Sequence, residues 1–281
     1  MAQPINVPPD IIADNVQRAL AEDVGSGDLT AALVPEHQTA RARVIAREAA
    51  VMCGSAWFDE VYRQIDARVR IEWNPRDGDA IGADATLCTI NGPVRALLTG
   101  ERTALNFLQV LSATATAARR YVDAVRGTRA VILDTRKTLP GLRLAQKYAV
   151  RCGGAQNHRI GLYDGILIKE NHIAAAGSLT ATVRAAKAAA PRNVFVEVEV
   201  ETLEQLREAI AAGAERILLD NFDADHIRTA VTETRGRAKL EISGGVTLAN
   251  VRQLADTGID YISIGDITKN IRAVDLSMRF E

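Results

Sequence analysis

Cysteine is scarce in this sequence: Cys53, Cys88 and Cys152 are the only three in 281 residues, widely spaced and without a Cys-x-x-Cys pair. That excludes a disulfide framework and a cysteine-based zinc site, and it fits a reducing, cytoplasmic setting. Charge of one sign is also lacking. Thirty-four Lys and Arg oppose 35 Asp and Glu for a net charge of −1, so no bulk excess exists to hold a nucleic-acid backbone. No apolar run approaches the ~20 residues that span a bilayer. Met1 to Asp10 contains prolines and no early Lys or Arg leading into an apolar stretch, so no secretory signal is expected. What remains is ordinary: 47% hydrophobic and 25% charged residues are enough for a full core. The length predicts one large or two modest domains.

The text has two grammars. From Val7 to about Ser112 it is mixed. Asp10 is expected to cap a helix over Ile11 to Glu22, carried by Ile11, Ile12, Val16 and Leu20. Ala40 to Arg47 and Ala67 to Trp73 alternate as half-exposed antiparallel strands. Asn74-Pro75, Asp77-Gly78-Asp79 and Asn91-Gly92-Pro93 read as turns between short pieces. Leu97, Leu98, Ala104, Leu105, Leu108 and Leu111 then recur at helical spacing, which predicts a long helix from Val94 to about Arg126. After Gly127, short apolar strands alternate strictly with alanine-rich helices. The strands are Ala130–Asp134, Gly165–Lys169, Val194–Val200, Arg216–Asp220, Lys239–Ser243 and Tyr261–Gly265. Such repetition makes parallel βαβ units. About six units point to an incomplete α/β barrel, with an open doubly wound sheet as the competing topology.

The strands become polar at their C-terminal ends: Asp134, Lys169, Glu199 with Glu201, Asp220, Ser243 and Gly265. In a parallel barrel those ends share one mouth, where ligands bind. In Val194 to Val200 the valines take one face and Glu197 and Glu199 the other. Buried in a barrel, those glutamates need a cation or metal each. Gly244-Gly245 after Ser243, and Gly265 after Ile264, let backbone N–H groups approach a phosphate. Lys169 fits a phosphate or carboxylate ligand, an ion-pair partner, or a Schiff-base nucleophile. Asp220-Asn221 fits sugar hydroxyls, a magnesium ion or a plain helix cap.

The densest signal lies between the first two of these strands. Asp134 to Arg143, followed by Gly153 to Arg159, gathers Arg136, Lys137, Arg143, His158 and Arg159 among glycines and a proline in a loop that opens a helix. Guanidinium forks and backbone N–H groups match carboxylate and phosphate oxygens, so a polyanionic small molecule is the natural ligand. Of the four histidines, His37 and His226 read as surface residues, His172 as structural or supporting, and His158 as the site candidate.

These residues resemble the quinolinate phosphoribosyltransferase family. The resemblance runs through Glu22 to Thr30, Glu101 to Gln109, Asp134 to Arg143, Asn157-His158-Arg159, Lys169 to His172, Glu197-Val198-Glu199, Leu219-Asp220-Asn221 and Ser243-Gly244-Gly245. It implies an N-terminal α/β sandwich over residues 1–112 and an incomplete barrel over 113–269, with the tail 270–281 returning to the first domain. It also implies a cytoplasmic homodimer that joins quinolinate to 5-phosphoribosyl 1-pyrophosphate with decarboxylation, in NAD biosynthesis. Arg102, from the Glu-Arg-Thr motif, would reach the partner subunit's site. Substrate contacts would fall on Thr135, Arg136, Lys137, His158, Arg159 and Lys169. Glu199 and Asp220 would bind sugar hydroxyls and Mg2+, and Ser243, Gly244, Gly245 and Gly265 the phosphate. Lys137, Lys169, Glu199 and Asp220 would carry the catalysis. The sequence departs from the family pattern at Ala113 and Ala155, neither of which removes a charge. A relative associated with molybdenum transport shares much of the pattern, which leaves another substrate as the alternative. A Schiff-base lyase using Lys169 and a lipoyl-type carrier hairpin over Ile71 to Arg95 are the rivals from other classes; the hairpin has no lysine to modify.

Overall fold

Pro8 and Pro9 decide where the first helix begins. The computed structural model describes residues 6–281, so the signal reading of Met1 to Asp10 lies partly outside the described residues. Helix α1 spans Pro9–Asp23 with Pro8 as N-cap. Proline's fixed φ and missing N–H suit a first turn, where that donor has no helical acceptor. Asp10 is therefore not the cap; it lies in the first turn, with its carboxylate at the positive end of the helix dipole.

In chain order there follow β1 (Thr39–Ala46), β2 (Ala50–Val51), α2 (Ser55–Ile65), β3 (Arg70–Trp73), β4 (Ala80–Ile81), β5 (Thr86–Pro93) and α3 (Val94–Ala124). Then come β6 (Val131–Leu133), α4 (Arg143–Cys152), β7 (Gly165–Ile168), α5 (Glu170–Ala176), α6 (Leu179–Ala189), β8 (Phe195–Val200) and α7 (Leu203–Ala211). The remainder is β9 (Arg216–Asp220), α8 (Ala224–Thr234), β10 (Lys239–Ser243), α9 (Val251–Ala255), β11 (Tyr261–Ser263), α10 (Asp266–Lys269) and β12 (Leu276–Phe280). The chain divides into two compact units. The first takes the residues up to Arg119, Thr138–Gly154 and Ile267–Glu281; the second takes Arg120–Lys137 and Ala155–Asp266. α3 runs unbroken through positions 112 and 113.

The first unit holds a four-stranded antiparallel sheet of order β12-β1-β5-β3. Asn91-Gly92-Pro93 is not a turn: it is the end of β5, paired with Thr39 to Arg41. Gly92 is there because a Cβ would come within 2.9 Å of Val69, and Pro93 closes the strand where its missing donor does least harm. The sequence reading overlooked α2, which buries Trp57, Phe58, Val61 and Tyr62 on one face. Its start is fixed by Asp77, whose carboxylate accepts the N–H groups of Gly54 and Ser55 at 3.0 and 3.2 Å.

The second unit is a six-stranded, wholly parallel sheet of order β6-β11-β10-β9-β8-β7. The order is cyclic: each strand neighbours its successor except that β6 pairs with β11 rather than β7. A doubly wound sheet would reverse direction at a switch point, and this one does not. It is a barrel left open between its first two strands. Ser178, Thr202 and Asp223 cap α6, α7 and α8 with their side chains. Because Asp223 takes the capping role before α8, Asp220 is left for the barrel mouth. Among the described residues no helix is long and apolar enough to cross a membrane.

Candidate active site

Period-2 alternation sorts the barrel strands into layers. Phe195, Glu197 and Glu199 lie on one face of β8; Arg216, Leu218 and Asp220 share a face of β9; Glu241 and Ser243 share one of β10. Nearest the C-terminal ends, Lys169 Nζ donates to Glu199 Oε2 at 2.7 Å. Ser243 Oγ donates to Asp220 Oδ1 at 3.3 Å, and Asn221 Nδ2 to Asp220 Oδ2 at 3.1 Å. Gly244 and Gly245 both have positive φ, +86° and +62°, and a Cβ on Gly244 would lie 2.8 Å from Asn221 Oδ1. With no Cβ at either position, a phosphate can approach the backbone N–H groups closely there. Beyond the neighbouring strands β11 and β6, a Cβ on Gly265 would lie 3.0 Å from Lys137 Cδ and 3.6 Å from Thr135 Oγ1. Thr135 Oγ1 accepts the Lys137 N–H at 3.1 Å, setting the turn that carries Lys137.

Arg136 follows β6, and Arg159 precedes β7. Arg159 Nη1 donates to the Gly165 carbonyl at 2.9 Å. Burial, and after it the neighbouring Arg136, push the Arg159 guanidinium below its ordinary pKa. Two guanidinium groups held within each other's field are costly unless an anion comes between them.

His158 is turned inward. Its backbone N–H donates to Asp134 Oδ1 at 2.9 Å, and its Nε2 is 2.8 Å from Glu197 Oε2. Asn157 Nδ2 donates to Asp134 Oδ2 at 2.6 Å. Glu197 and Glu241 are fully buried, and Arg216 bridges them: its Nε donates to Glu197 Oε1 at 2.9 Å and its Nη2 to Glu241 Oε2. Arg216 is not legible in the sequence, since a strand's first residue gives no sign of the carboxylate its neighbour presents, whereas Glu241 shares the face of Ser243 and alternation alone marks it.

Burial and the nearby Glu197 raise the Glu241 carboxyl to about 7. The folded chain thus keeps a proton that the unfolded chain releases near its ordinary 4.5. The stability this lends is full below that value and is lost as pH rises through about 7. Wild type should therefore lose stability relative to Glu241→Gln between about pH 5 and about pH 8, measured as the difference in urea midpoints. A difference independent of pH would refute this assignment.

Arg102 belongs to the first unit. It is exposed on α3 and lines a cavity of about 520 Å3 with Asp23, Gly27, Asp28 and Thr30, so two of the motifs read in the sequence share one cavity. Asp28 accepts the N–H groups of Thr30 and Ala31, both at 2.9 Å, and the Thr99 hydroxyl, also at 2.9 Å. Arg143, counted from sequence with the basic cluster, opens α4 in this unit and donates to Thr138 Oγ1 at 3.1 Å. His37 and His226 are exposed, and His172 Nδ1 accepts the Lys169 N–H at 3.0 Å at the start of α5.

Known proteins are similar to this chain over its whole length. Residues 28–112 match the quinolinate phosphoribosyl transferase N-terminal domain, and 114–279 match the C-terminal domain. A Mycobacterium leprae nicotinate-nucleotide pyrophosphorylase [carboxylating] is 44% identical, with 96% of this chain and 97% of the relative covered. A probable nicotinate-nucleotide pyrophosphorylase [carboxylating] of Bacillus subtilis is 44% identical, covering 92% and 89%. The structure of the Francisella tularensis nicotinate-nucleotide pyrophosphorylase superposes over 100% of both chains with a TM-score of 0.94 at 45% identity. With both domain matches, full-length coverage and the six-stranded open barrel in agreement, the chain belongs to the quinolinate phosphoribosyltransferase family.

Proposed function

We propose that this chain transfers the phosphoribosyl group of 5-phosphoribosyl 1-pyrophosphate to the ring nitrogen of quinolinate and releases the 2-carboxylate as CO2, giving nicotinate mononucleotide and pyrophosphate for NAD synthesis. The observation that carries this reading is the polar set at the C-terminal strand ends, where Lys169 Nζ donates to Glu199 Oε2 at 2.7 Å and Ser243 Oγ to Asp220 Oδ1 at 3.3 Å ahead of Gly244 and Gly245; Arg136 and Arg159, whose charges act on each other, add the guanidinium groups. Two guanidinium forks match the two carboxylates of a pyridine dicarboxylate. The sugar donor, also polyanionic, is held at the ends of β6, β8, β9, β10 and β11. Its phosphates are met by Lys137, Ser243 and the N–H groups of Gly244, Gly245 and Gly265. Its hydroxyls are met by Glu199 and Asp220.

Positioning and electrostatics then suffice for the chemistry. The bond from ribose C1 to the diphosphate oxygen breaks, and C1 gains oxocarbenium character that Glu199 and Asp220 stabilise. The pyridine nitrogen supplies the electron pair for the new C–N bond. The ring then carries a positive charge, so the C2 carboxylate leaves as CO2, its bonding pair stays on C2 as an ylide, and C2 takes a proton. Lys169 stays paired with Glu199 and half exposed, whereas a Schiff-base lysine is desolvated in an apolar pocket.

Mg2+ is part of the proposal, and the donor set fits it in one way. Glu199 and Asp220 offer hard carboxylate oxygens, yet Glu199 Oε2 already accepts from Lys169. The chain therefore supplies at most a partial cage, and the diphosphate and water supply the remaining oxygens. When bound, Mg2+ neutralises the departing diphosphate.

The proposal includes a cytoplasmic homodimer in which Arg102 reaches the partner's barrel. The decisive assay measures CO2 and pyrophosphate from purified protein, with quinolinate, the sugar donor and Mg2+ each omitted in turn. Both products should vanish in every omission. Release of pyrophosphate without quinolinate at the full rate would overturn the reading. Subunit sharing has its own test: Arg102→Ala and Lys169→Ala, each inactive alone, are unfolded together and reassorted. Half the dimers then carry one intact site, so activity should return to about a quarter of wild type; no recovery contradicts sharing.

A further inference from the structure

His158, Glu197 and Glu241 are buried, with one ligand atom from each within 4.8 Å of the others. By residue type this is a metal-binding triad. The place of the cation is nevertheless taken, because the Arg216 fork donates to both carboxylates. The Arg216 guanidinium carbon lies 4.7 Å from the Phe195 ring centroid and 4.6 Å from that of Tyr261. A planar cation stacked between two rings cannot be exchanged for an ammonium without losing both the stacking and the fork.

The four carboxylate oxygens have separate duties. Glu197 Oε1 and Glu241 Oε2 accept from Arg216. Glu241 Oε1 accepts from the Ser263 hydroxyl. Glu197 Oε2 is left aimed at His158 Nε2, 2.8 Å away. On the other side of the imidazole, Nδ1 lies 2.7 Å from the backbone nitrogen of Arg159. An amide N–H can only donate, so Nδ1 is the acceptor and the ring proton resides on Nε2. One tautomer satisfies both contacts. The edge of the ring also meets Phe195, with centroids 5.4 Å apart. The backbone amide of Arg159, and with it the root of the guanidinium that ends on the Gly165 carbonyl, is thereby fixed from below the barrel mouth.

We propose that Glu197 and Arg216 are positioning residues that hold His158 as its Nε2–H tautomer and, through Nδ1, set the Arg159 guanidinium for the dicarboxylate substrate. This rests on the function proposed above, while its spectroscopic test does not. Glu197→Gln is the sharp variant, because it keeps the shape and removes the charge. Its amide must turn an NH2 toward either Arg216 or His158, and either choice opposes a donor to a donor. The chain has four histidines, so the ring signals of 15N-histidine-labelled protein can be assigned by single substitutions.

In wild type, the His158 nitrogens should show an unprotonated Nδ1 and a protonated Nε2. In Glu197→Gln that pattern should invert or mix. kcat/KM for quinolinate should fall by roughly 100-fold, as expected for a misplaced substrate-binding group, while KM for the sugar donor changes little. Arg216→Lys, which keeps the charge without the fork, should shift both readouts in the same direction and serves if the first variant is poorly folded. A wild-type His158 protonated on Nδ1 would overturn the inference. So would a Glu197→Gln enzyme with unaltered tautomer and unaltered kcat/KM for quinolinate. If wild type makes no nicotinate mononucleotide while the tautomer result holds, the proposed function fails and the clamp stands.

Discussion

Arg159→Ala should lower kcat/KM for quinolinate by about 1,000-fold, the scale on which one charge-stabilising donor acts in a site shielded from water. Arg136→Ala should cost a similar factor. The two guanidinium groups act on one dianion, so the double variant should fall well short of the product of the two losses. The fold should survive both changes. Arg159 is pushed below its ordinary pKa by burial and by Arg136, so removing either guanidinium relieves repulsion in the free protein. Steady-state rates beside thermal midpoints will check this: rates should collapse while midpoints hold or rise slightly. A near wild-type rate in either variant would mean that the anion binds elsewhere.

The largest effect on stability is expected at Trp57. Its side chain is 1% exposed, its Nε1 donates to Asn15 Oδ1 at 3.2 Å, and its ring lies 5.7 Å from that of Tyr148. Trp57→Ala leaves a cavity where α1, α2 and α4 contribute these three residues, at a cost of about 3–5 kcal/mol. With a urea dependence of roughly 1–3 kcal/mol per molar, the midpoint for the first unit should fall by about 1 M or more. Trp73, only partly buried, is the comparison. Trp73→Ala should shift the midpoint much less, and equal shifts would place the centre of this core elsewhere.

The second unit was legible because its strands announce themselves twice, by short apolar runs and by polar terminal residues. Arg216–Asp220 and Lys239–Ser243 are strands with the residue limits the pattern predicts. Alternation placed Glu197 inside, and its burial with Arg216 and His158 follows from the cost of an unpaired charge. The identity of the partner was not legible. Arg216 stands opposite Glu197 in the parallel register of β8 and β9, and register depends on how the strands associate in three dimensions. The first unit was harder for the same reason. Gly92 reads as a turn residue in sequence, and only the approach of Val69 shows why a strand needs it. Asp77, which caps α2 from 22 residues away, leaves no local capping signal before Ser55.

The pairing of β12 with β1 and the place of α4 in the first unit bear on how a ribosome delivers this protein. Synthesis runs from the N-terminus, and domains made early commonly fold early. Here the second unit has all its residues once Asp266 emerges, whereas the sheet begun at Thr39 must wait for Leu276–Phe280 to cover its edge. An uncovered strand edge invites association with other nascent chains. The sheet begun before the barrel is thus finished after it, and β1 waits for its edge partner while everything from Ala46 to Leu276 is added.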